Sequence, residues 1–223
     1  MKTHHHHLGL VAACLCALAT SPVFAQDAKP SFDCAKAQTR VEKAICTQLD
    51  AWFDQTMADL YKSVRAVPDT DIAELQSGQR AWLARRNQCA GSGDKLANCL
   101  LDSYRTRLVE LSGRYDSQKL TGRYASTTYS GDLDSVLFPD GILAMNVSTV
   151  RPGSNNSCAY SLRAPVIHAN QVHKVEPPDA SAPDNRCEVD LAFAGPQVNV
   201  KTKGCDSYCG YGVRFDGLFN KKR

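Results

Sequence analysis

Apolar residues in the first half of the chain recur at helical spacing. The clearest stripe contains Leu49, Phe53, Met57, Leu60 and Val64. Pro68 ends this stripe, because proline removes a backbone donor and clashes with the preceding turn. Two similar stripes follow, and a short charged helical segment precedes them. The pattern therefore predicts a bundle of four helices within residues 26–112.

After residue 122 the pattern changes to alternation of apolar and polar residues, which is typical of strands. LDSVLF, PDG and ILAMNVS predict a hairpin from Leu133 to Ser148 with its turn at Pro139–Gly141. Further strands are predicted in SCAYSLRAPVI, CEVDLAF, VNVKTKGC and GYGVRFDGLF. Seven or eight short antiparallel strands predict a β-barrel or sandwich over residues 122–223. The polar stretch 113–121 is interpreted as the linker of an α+β protein.

The first 25 residues are predicted to be a cleaved signal peptide. A short cationic stretch precedes the apolar run LGLVAACLCALA. Val23 and Ala25 stand at the two positions before the cleavage site where signal peptidase recognises small residues. The run is too short to span a bilayer, so no transmembrane segment is expected. We therefore expect a periplasmic or secreted protein. The alternative is a lipoprotein cleaved before Cys14, which VAAC would permit.

Ten cysteines are present, and removal of Cys14 and Cys16 with the signal peptide leaves eight. An even number in an oxidising compartment indicates disulfides, and neither zinc-type CxxC pairs nor a redox CxxC is found. In the β part, pairing of CEVDLAF with VNVKTKGC sets Cys187 opposite residue 204. This register predicts Cys187–Cys205, and Cys158–Cys209 follows by elimination.

The four cysteines of the helical part allow three pairings. Antiparallel packing of the second and third helices would bring Cys46 towards Cys89. The favoured pairing is therefore Cys46–Cys89 with Cys34–Cys99.

Composition and motifs argue against several classes of function. The net charge is only +3 at neutral pH, which is too small to indicate a nucleic-acid partner. No nucleophile elbow, HExxH motif or phosphate loop occurs, and His168 and His173 are interpreted as surface or core residues. Asp132 and Asp134 share a face but are expected to be solvated. The sequence therefore predicts a non-enzymatic protein without a metal or cofactor.

Two loops are candidate binding elements. GCDSYCGYG is a turn fixed by two sulfurs, which would present Asp206, Ser207, Tyr208 and Tyr211. The loop from His173 to Asn185 is a second candidate, because its prolines limit its freedom. The competing interpretations are a plain disulfide corner and a plain connection.

Four segments together resemble a known family. FDCAKAQTRVEKAIC, LDAWFDQTMADLY, QRAWLARRNQC and CLLDSYRTRLVEL occur in the order found in the LprI-type lysozyme-inhibitor N-terminal domain family of exported bacterial proteins. The resemblance covers residues 31–112 and implies a lysozyme-like glycoside hydrolase as the protein partner. The β part is only loosely similar to small periplasmic β-barrel lysozyme inhibitors, and fold alone does not give function.

The leading hypothesis is an exported binding protein that inhibits, or gives immunity against, a lysozyme-like peptidoglycan hydrolase. A hydroxyl group from Ser207 or Tyr208 would hydrogen-bond to the two carboxyl groups of such an enzyme. One alternative is an envelope interaction module that docks onto another periplasmic protein or onto peptidoglycan. The other is a small-ligand carrier or hydrolase that uses the barrel interior. The carrier or hydrolase requires a deep cavity, and a barrel filled by side chains would exclude it.

Overall fold

The computed structural model describes residues 29–168, 170–178 and 186–222. The predicted signal peptide, the lipoprotein alternative at Cys14, and residues 179–185 of the second candidate loop lie outside the described residues. Among those that are described, no helix has both the length and the apolar character needed to cross a membrane.

Four α-helices form the N-terminal bundle, as predicted. They are α1 (Arg40–Thr47), α2 (Ala51–Arg65), α3 (Ile72–Arg86) and α4 (Asp94–Ser112). A short 3₁₀ turn, Cys34–Lys36, precedes them. Polar side chains cap the first three: the Asp50 carboxylate accepts from the Trp52 N–H, and that of Asp71 accepts from the Glu74 N–H, both at 2.9 Å. These caps satisfy donors that a helix start otherwise leaves unpaired.

Eight antiparallel strands form a closed barrel. They are β1 (Gly122–Ser126), β2 (Ser130–Leu137), β3 (Ile142–Val150), β4 (Ser157–Ile167), β5 (Gln171–Val175), β6 (Glu188–Ala194), β7 (Gln197–Lys203) and β8 (Gly217–Lys221). Each strand pairs with the next, and β1 pairs with β8, which makes the fold a barrel and not a sandwich. The α+β prediction is therefore confirmed.

The helical bundle and the barrel share buried surface. Alternate residues of β2 and β3 face opposite sides, so Leu133 and Met145 lie in the barrel interior. Val136 and Ala144 point outward and are buried in the core of the helices. The outer face of two strands thus continues the core of the bundle.

The connection between the two parts is packed against the barrel. The carboxylate of Asp116 accepts hydrogen bonds from the N–H groups of Leu120 and Thr121 at 2.8 and 2.5 Å. Leu120 is buried with the barrel core. The chain therefore enters β1 through an ordered turn.

The disulfides of the barrel are those predicted, Cys158–Cys209 and Cys187–Cys205. The register that predicted the second pair is also observed, since Glu188 pairs with Lys203 in the β6–β7 ladder. These two bridges join the long β7–β8 loop to other strands.

The predicted pairing in the helical bundle, Cys34–Cys99 with Cys46–Cys89, is wrong. The bridges are Cys34–Cys46 and Cys89–Cys99, which close short local loops. Arg40, at the start of α1, donates to the carbonyl oxygen of Cys89 at 2.8 Å. Cys46 lies six residues further along α1, about 9 Å from Arg40 at 1.5 Å per residue, and is bonded to Cys34.

Candidate functional site

Both predicted binding loops lie at the same end of the barrel. Successive strands run in opposite directions, so the β1–β2, β3–β4, β5–β6 and β7–β8 connections share one end. The described residues of these connections are 127–129, 151–156, 176–178, 186–187 and 204–216, and we call them the loop end. The β7–β8 connection contains the CDSYC turn, and the second candidate loop is the β5–β6 connection.

The β7–β8 loop is anchored to the barrel wall at several points. Cys205 is bonded to Cys187 at the start of β6, and Cys209 is bonded to Cys158 in β4. The N–H of Gly210 donates to the carbonyl oxygen of Ser157 at 2.8 Å. A loop fixed in this way loses little conformational entropy when it binds a partner.

The four predicted site residues do not share one environment. Tyr211 is 87% exposed, and Asp206 and Ser207 are also exposed. Tyr208 is half-buried, and its ring packs edge-on against that of Tyr160 with centroids 4.9 Å apart. Tyr208 therefore packs this loop onto the barrel, whereas the other three side chains point to solvent.

Arg151 lies beside Tyr211, although sequence analysis did not identify it. A Cβ atom placed on Gly212 would stand 2.6 Å from Nη1 of Arg151, so the guanidinium group lies against the backbone that follows Tyr211. Asn156 fixes the same backbone by donating from Nδ2 to the carbonyl oxygen of Tyr211 at 2.9 Å. Within the described part of the chain, Arg151 forms no ion pair with an acidic side chain. The predicted Cys158–Cys209 bridge was the one feature of the sequence that indicated this contact. It brings together the segments that contain Arg151 and Tyr211, which are 60 residues apart.

Exposed apolar side chains are concentrated at the loop end. Among the described residues, the exposed large apolar side chains are Val109, Val150, Ile167, Val175, Tyr211 and Leu218. Val150 and Val175 each end a strand there, Leu218 lies at the start of β8, and Tyr211 lies in the loop itself. Tyrosine and arginine beside exposed apolar residues are typical of protein-binding surfaces.

The barrel interior is filled by side chains. Tyr124, Met145, Phe193, Phe215 and Phe219 are among the buried residues that occupy it. The ring of Phe215 stacks on that of Tyr160 with centroids 5.1 Å apart. Within the described residues this packing excludes the deep cavity that a carrier or a hydrolase in the barrel would need.

The residues considered for catalysis or metal binding have other surroundings. No group of three histidine, cysteine or acidic residues in the described ranges is placed to hold a metal ion. His168 is exposed, and the exposed His173 has its Nδ1 2.7 Å from Oδ1 of Asp190 on the outer wall. Asp132 and Asp134, expected to be solvated, instead pair with arginines where the barrel meets the helices.

The residues that carry the family signatures form a buried network in the bundle. The hydroxyl group of Tyr104 donates to Oδ1 of Asp54 at 2.5 Å and accepts from Nη1 of Arg86 at 3.0 Å. The Arg86 guanidinium lies 5.3 Å from the ring centroid of Trp82. Burial raises the pKa of Tyr104, and the charge of Asp54 raises it further. Arg80 of the QRAWL segment is exposed, and Arg86 makes the buried contacts.

Comparison with known proteins gives one match. No curated protein and no solved structure is significantly similar to the chain. Residues 33–111, which contain α1 to α3 and nearly all of α4, match the family model described as Lysozyme inhibitor LprI, as the four signature segments predicted.

Proposed function

We propose that this protein is an exported binding protein that inhibits a lysozyme-like peptidoglycan hydrolase. The observation that carries the proposal is the match of the helical bundle to a family of lysozyme inhibitors. Four disulfides support an oxidising compartment such as the periplasm. The target is a host lysozyme, or a lytic toxin of a competing bacterium, against which the protein would give immunity.

The loop end is the surface that we assign to the hydrolase. The signature residues of the bundle are buried in a hydrogen-bonded network, so they specify its fold and are not available to a partner. The loop end combines a fixed backbone, an exposed tyrosine and an arginine that forms no ion pair with the described residues. Aromatic and arginine side chains on rigid loops supply most of the binding energy in many interfaces.

The chemistry of the target explains these residue types. A glycoside hydrolase of this class holds two carboxyl groups in its cleft. The guanidinium of Arg151 can donate two parallel hydrogen bonds to a carboxylate. Tyr211 can stack on apolar or sugar-binding surfaces at the rim, and the exposed hydroxyl of Ser207 can donate to the second carboxyl group.

Long-range electrostatics contribute little to this association. Lysozymes are commonly basic, and a chain with a net charge of +3 gains no steering towards a basic partner. Recognition must then rest on short-range contacts, in which one arginine enters a locally acidic cleft. This predicts a modest association rate and an affinity set mainly by slow dissociation.

The direct test is a turbidity assay of cell-wall lysis with several lysozyme types and the purified mature protein. We expect inhibition of at least one type at micromolar concentration. Reduction of the disulfides should abolish it, because the loop end loses its anchors. Absence of inhibition for every type, together with crosslinking in cells to an envelope protein that is not a hydrolase, would favour the interaction module instead.

A further inference from the structure

A cleft of about 840 Å³ separates the second half of α4 from the barrel. Its walls are α4, the turn before β1, the start of β1 and the end of β8, and we call it the α4–barrel cleft. Because β1 begins and β8 ends there, the cleft lies at the barrel end opposite to the loop end. Its volume is that of small-molecule sites, which often form between structural units.

Three lysines, Lys119, Lys221 and Lys222, line this cleft. The ammonium group of Lys221 donates to the carbonyl oxygens of Lys119 and Thr121, the latter at 2.8 Å. Carbonyl groups orient an ammonium ion but leave its charge in place. Among the described residues, none of the three lysines forms a salt bridge, and Lys119 and Lys222 are exposed. Within the described part of the chain, the cleft therefore holds three ammonium groups that form no direct ion pair.

The acidic groups around the cleft are mostly engaged. Both oxygens of Asp116 accept backbone hydrogen bonds, and Glu110 pairs with Arg107 at 3.0 Å. Asp132 pairs with Arg123 at 2.6 Å, so that arginine is neutralised. Asp102, which is exposed on α4, is the carboxylate of the lining that takes part in none of these contacts. Hydrogen bonds from backbone N–H groups leave the charge of Asp116 in place, so the three lysines face the carboxylates of Asp102 and Asp116, and the lining keeps a net positive charge.

The state of Lys221 fits an anion site. Burial lowers its pKa, Asp116 offsets part of this, and the neighbouring Lys119 lowers it further. A bound anion would offset the repulsion between Lys119 and Lys221, because its negative charge would lie close to both ammonium groups. The wall also contains Val109, whose side chain is 46% exposed and could contact the aliphatic part of a ligand.

We propose that the α4–barrel cleft binds an anionic ligand of short-peptide size whose carboxylates contact Lys119, Lys221 and Lys222. Lysine binds carboxylates as a point charge without strict geometry, so the site would accept several acidic sequences. Free acidic peptides and the acidic stem of soluble cell-wall fragments share this chemistry. The site is independent of the loop end, so occupancy of one should not block the other.

The test is a two-dimensional NMR titration of the ¹⁵N-labelled mature protein with three probes. They are tri-glutamate, a soluble disaccharide-peptide from cell walls, and neutral chitotriose. We expect the two acidic probes to shift amide signals of residues 102–123 and 221–222 while the loop end stays unchanged. Shifts with the disaccharide-peptide alone would support the site and assign its ligand to the cell wall.

A charge-reversed variant supplies the second arm. Lys119→Glu should weaken binding of the acidic probes about tenfold or more. Lys43→Glu is the matched control, because Lys43 is exposed on α1 and forms no salt bridge within the described residues. It should bind as the unmodified protein does. Both variants should retain lysozyme inhibition if that activity is present, so failure of either proposal can be recognised separately.

Three outcomes would overturn the cleft proposal. The first is absence of shifts with both acidic probes at millimolar concentration. The second is an equal response to neutral chitotriose, which would remove the role of charge. The third is that Lys43→Glu weakens binding of the acidic probes to the same extent, which would show that only the net charge of the protein matters.

Discussion

Arg105 and Asp134 form a two-point ion pair between α4 and β2. Nε and Nη2 of the arginine donate to the two carboxylate oxygens at 2.8 and 2.7 Å. Asp134 is 6% exposed, and the guanidinium also lies 5.4 Å from the ring centroid of Phe53. Burial raises the pKa of Asp134, and the hydrogen bonds from Arg105 offset part of that rise. The pair therefore connects the two structural units at a largely dehydrated point.

This geometry predicts an asymmetric mutational response. Asp134→Leu should destabilise the protein by about 3 kcal/mol, because it leaves the Arg105 guanidinium without its main partner. The double variant Arg105→Leu/Asp134→Leu should recover most of that loss, since two apolar side chains can pack where the ions were. Urea unfolding of the wild type, both single variants and the double variant measures the coupling. If the loss in the double variant equals the sum of the losses in the two single variants, the pair is not energetically coupled.

Local patterns in the sequence were enough to predict the helices and two of the eight strand pairings, β2 with β3 and β6 with β7. The stripe from Leu49 to Val64 forms one face of α2, and the β6–β7 register follows directly from the short AGPQ connection. These features depend on neighbours in sequence, where periodicity and turn chemistry act.

Contacts between distant segments were not predictable in the same way. The cysteine pairing in the bundle failed because it assumed that Cys46 lay beside the α3–α4 turn, whereas α1 holds it at the opposite end. Asp134 looked like a solvated strand residue, because nothing in its own strand shows that α4 covers it. Arg151 was missed for the same reason, since its neighbour Tyr211 belongs to a different loop.

Removal of the Tyr104 hydroxyl group should show how much the buried network stabilises the bundle. Tyr104→Phe leaves Oδ1 of Asp54 without this donor and Nη1 of Arg86 without its acceptor at a buried site. We expect a loss of about 2–3 kcal/mol in the free energy of unfolding. Tyr61→Phe on α2 is the control, because the Tyr61 hydroxyl has no hydrogen bond within the described residues. If both variants lose the same free energy of unfolding, the hydrogen bonds of the Tyr104 hydroxyl group do not stabilise the bundle.

The start of α1 should respond to acid. Glu42 accepts hydrogen bonds from the N–H groups of Thr39 and Gln38, both at 2.9 Å, and these lower its pKa below the ordinary value of 4.5. A carboxyl group with a lowered pKa in the folded state stabilises that state above the unfolded pKa. This contribution is lost as the pH falls through the folded value. Hydrogen exchange at the Thr39 and Gln38 amides, measured relative to the intrinsic rates of unfolded amides at the same pH, should therefore accelerate as the pH falls below the ordinary pKa of 4.5.

The Glu42→Gln variant separates the charge from the hydrogen bonds. Glutamine can still accept from both amides, so the capping geometry should persist. Acceleration of exchange at low pH should then disappear at these two positions. If the variant keeps the same acid dependence, another group controls the α1 start.

Substitutions at the loop end should change inhibition without changing stability. Tyr211→Ala and Arg151→Ala remove the two side chains that we assign to the hydrolase contact, and each should weaken inhibition about thirtyfold. The melting temperature should stay within about a degree, because Tyr211 is 87% exposed and Arg151 forms no ion pair in the described structure. Arg85→Ala, an exposed arginine of α3 that also forms none, is the matched control and should inhibit normally. If inhibition falls as much in the control as in Arg151→Ala, only overall charge matters. If neither loop variant changes inhibition, the hydrolase binds another surface, and the helical bundle becomes the next region to test.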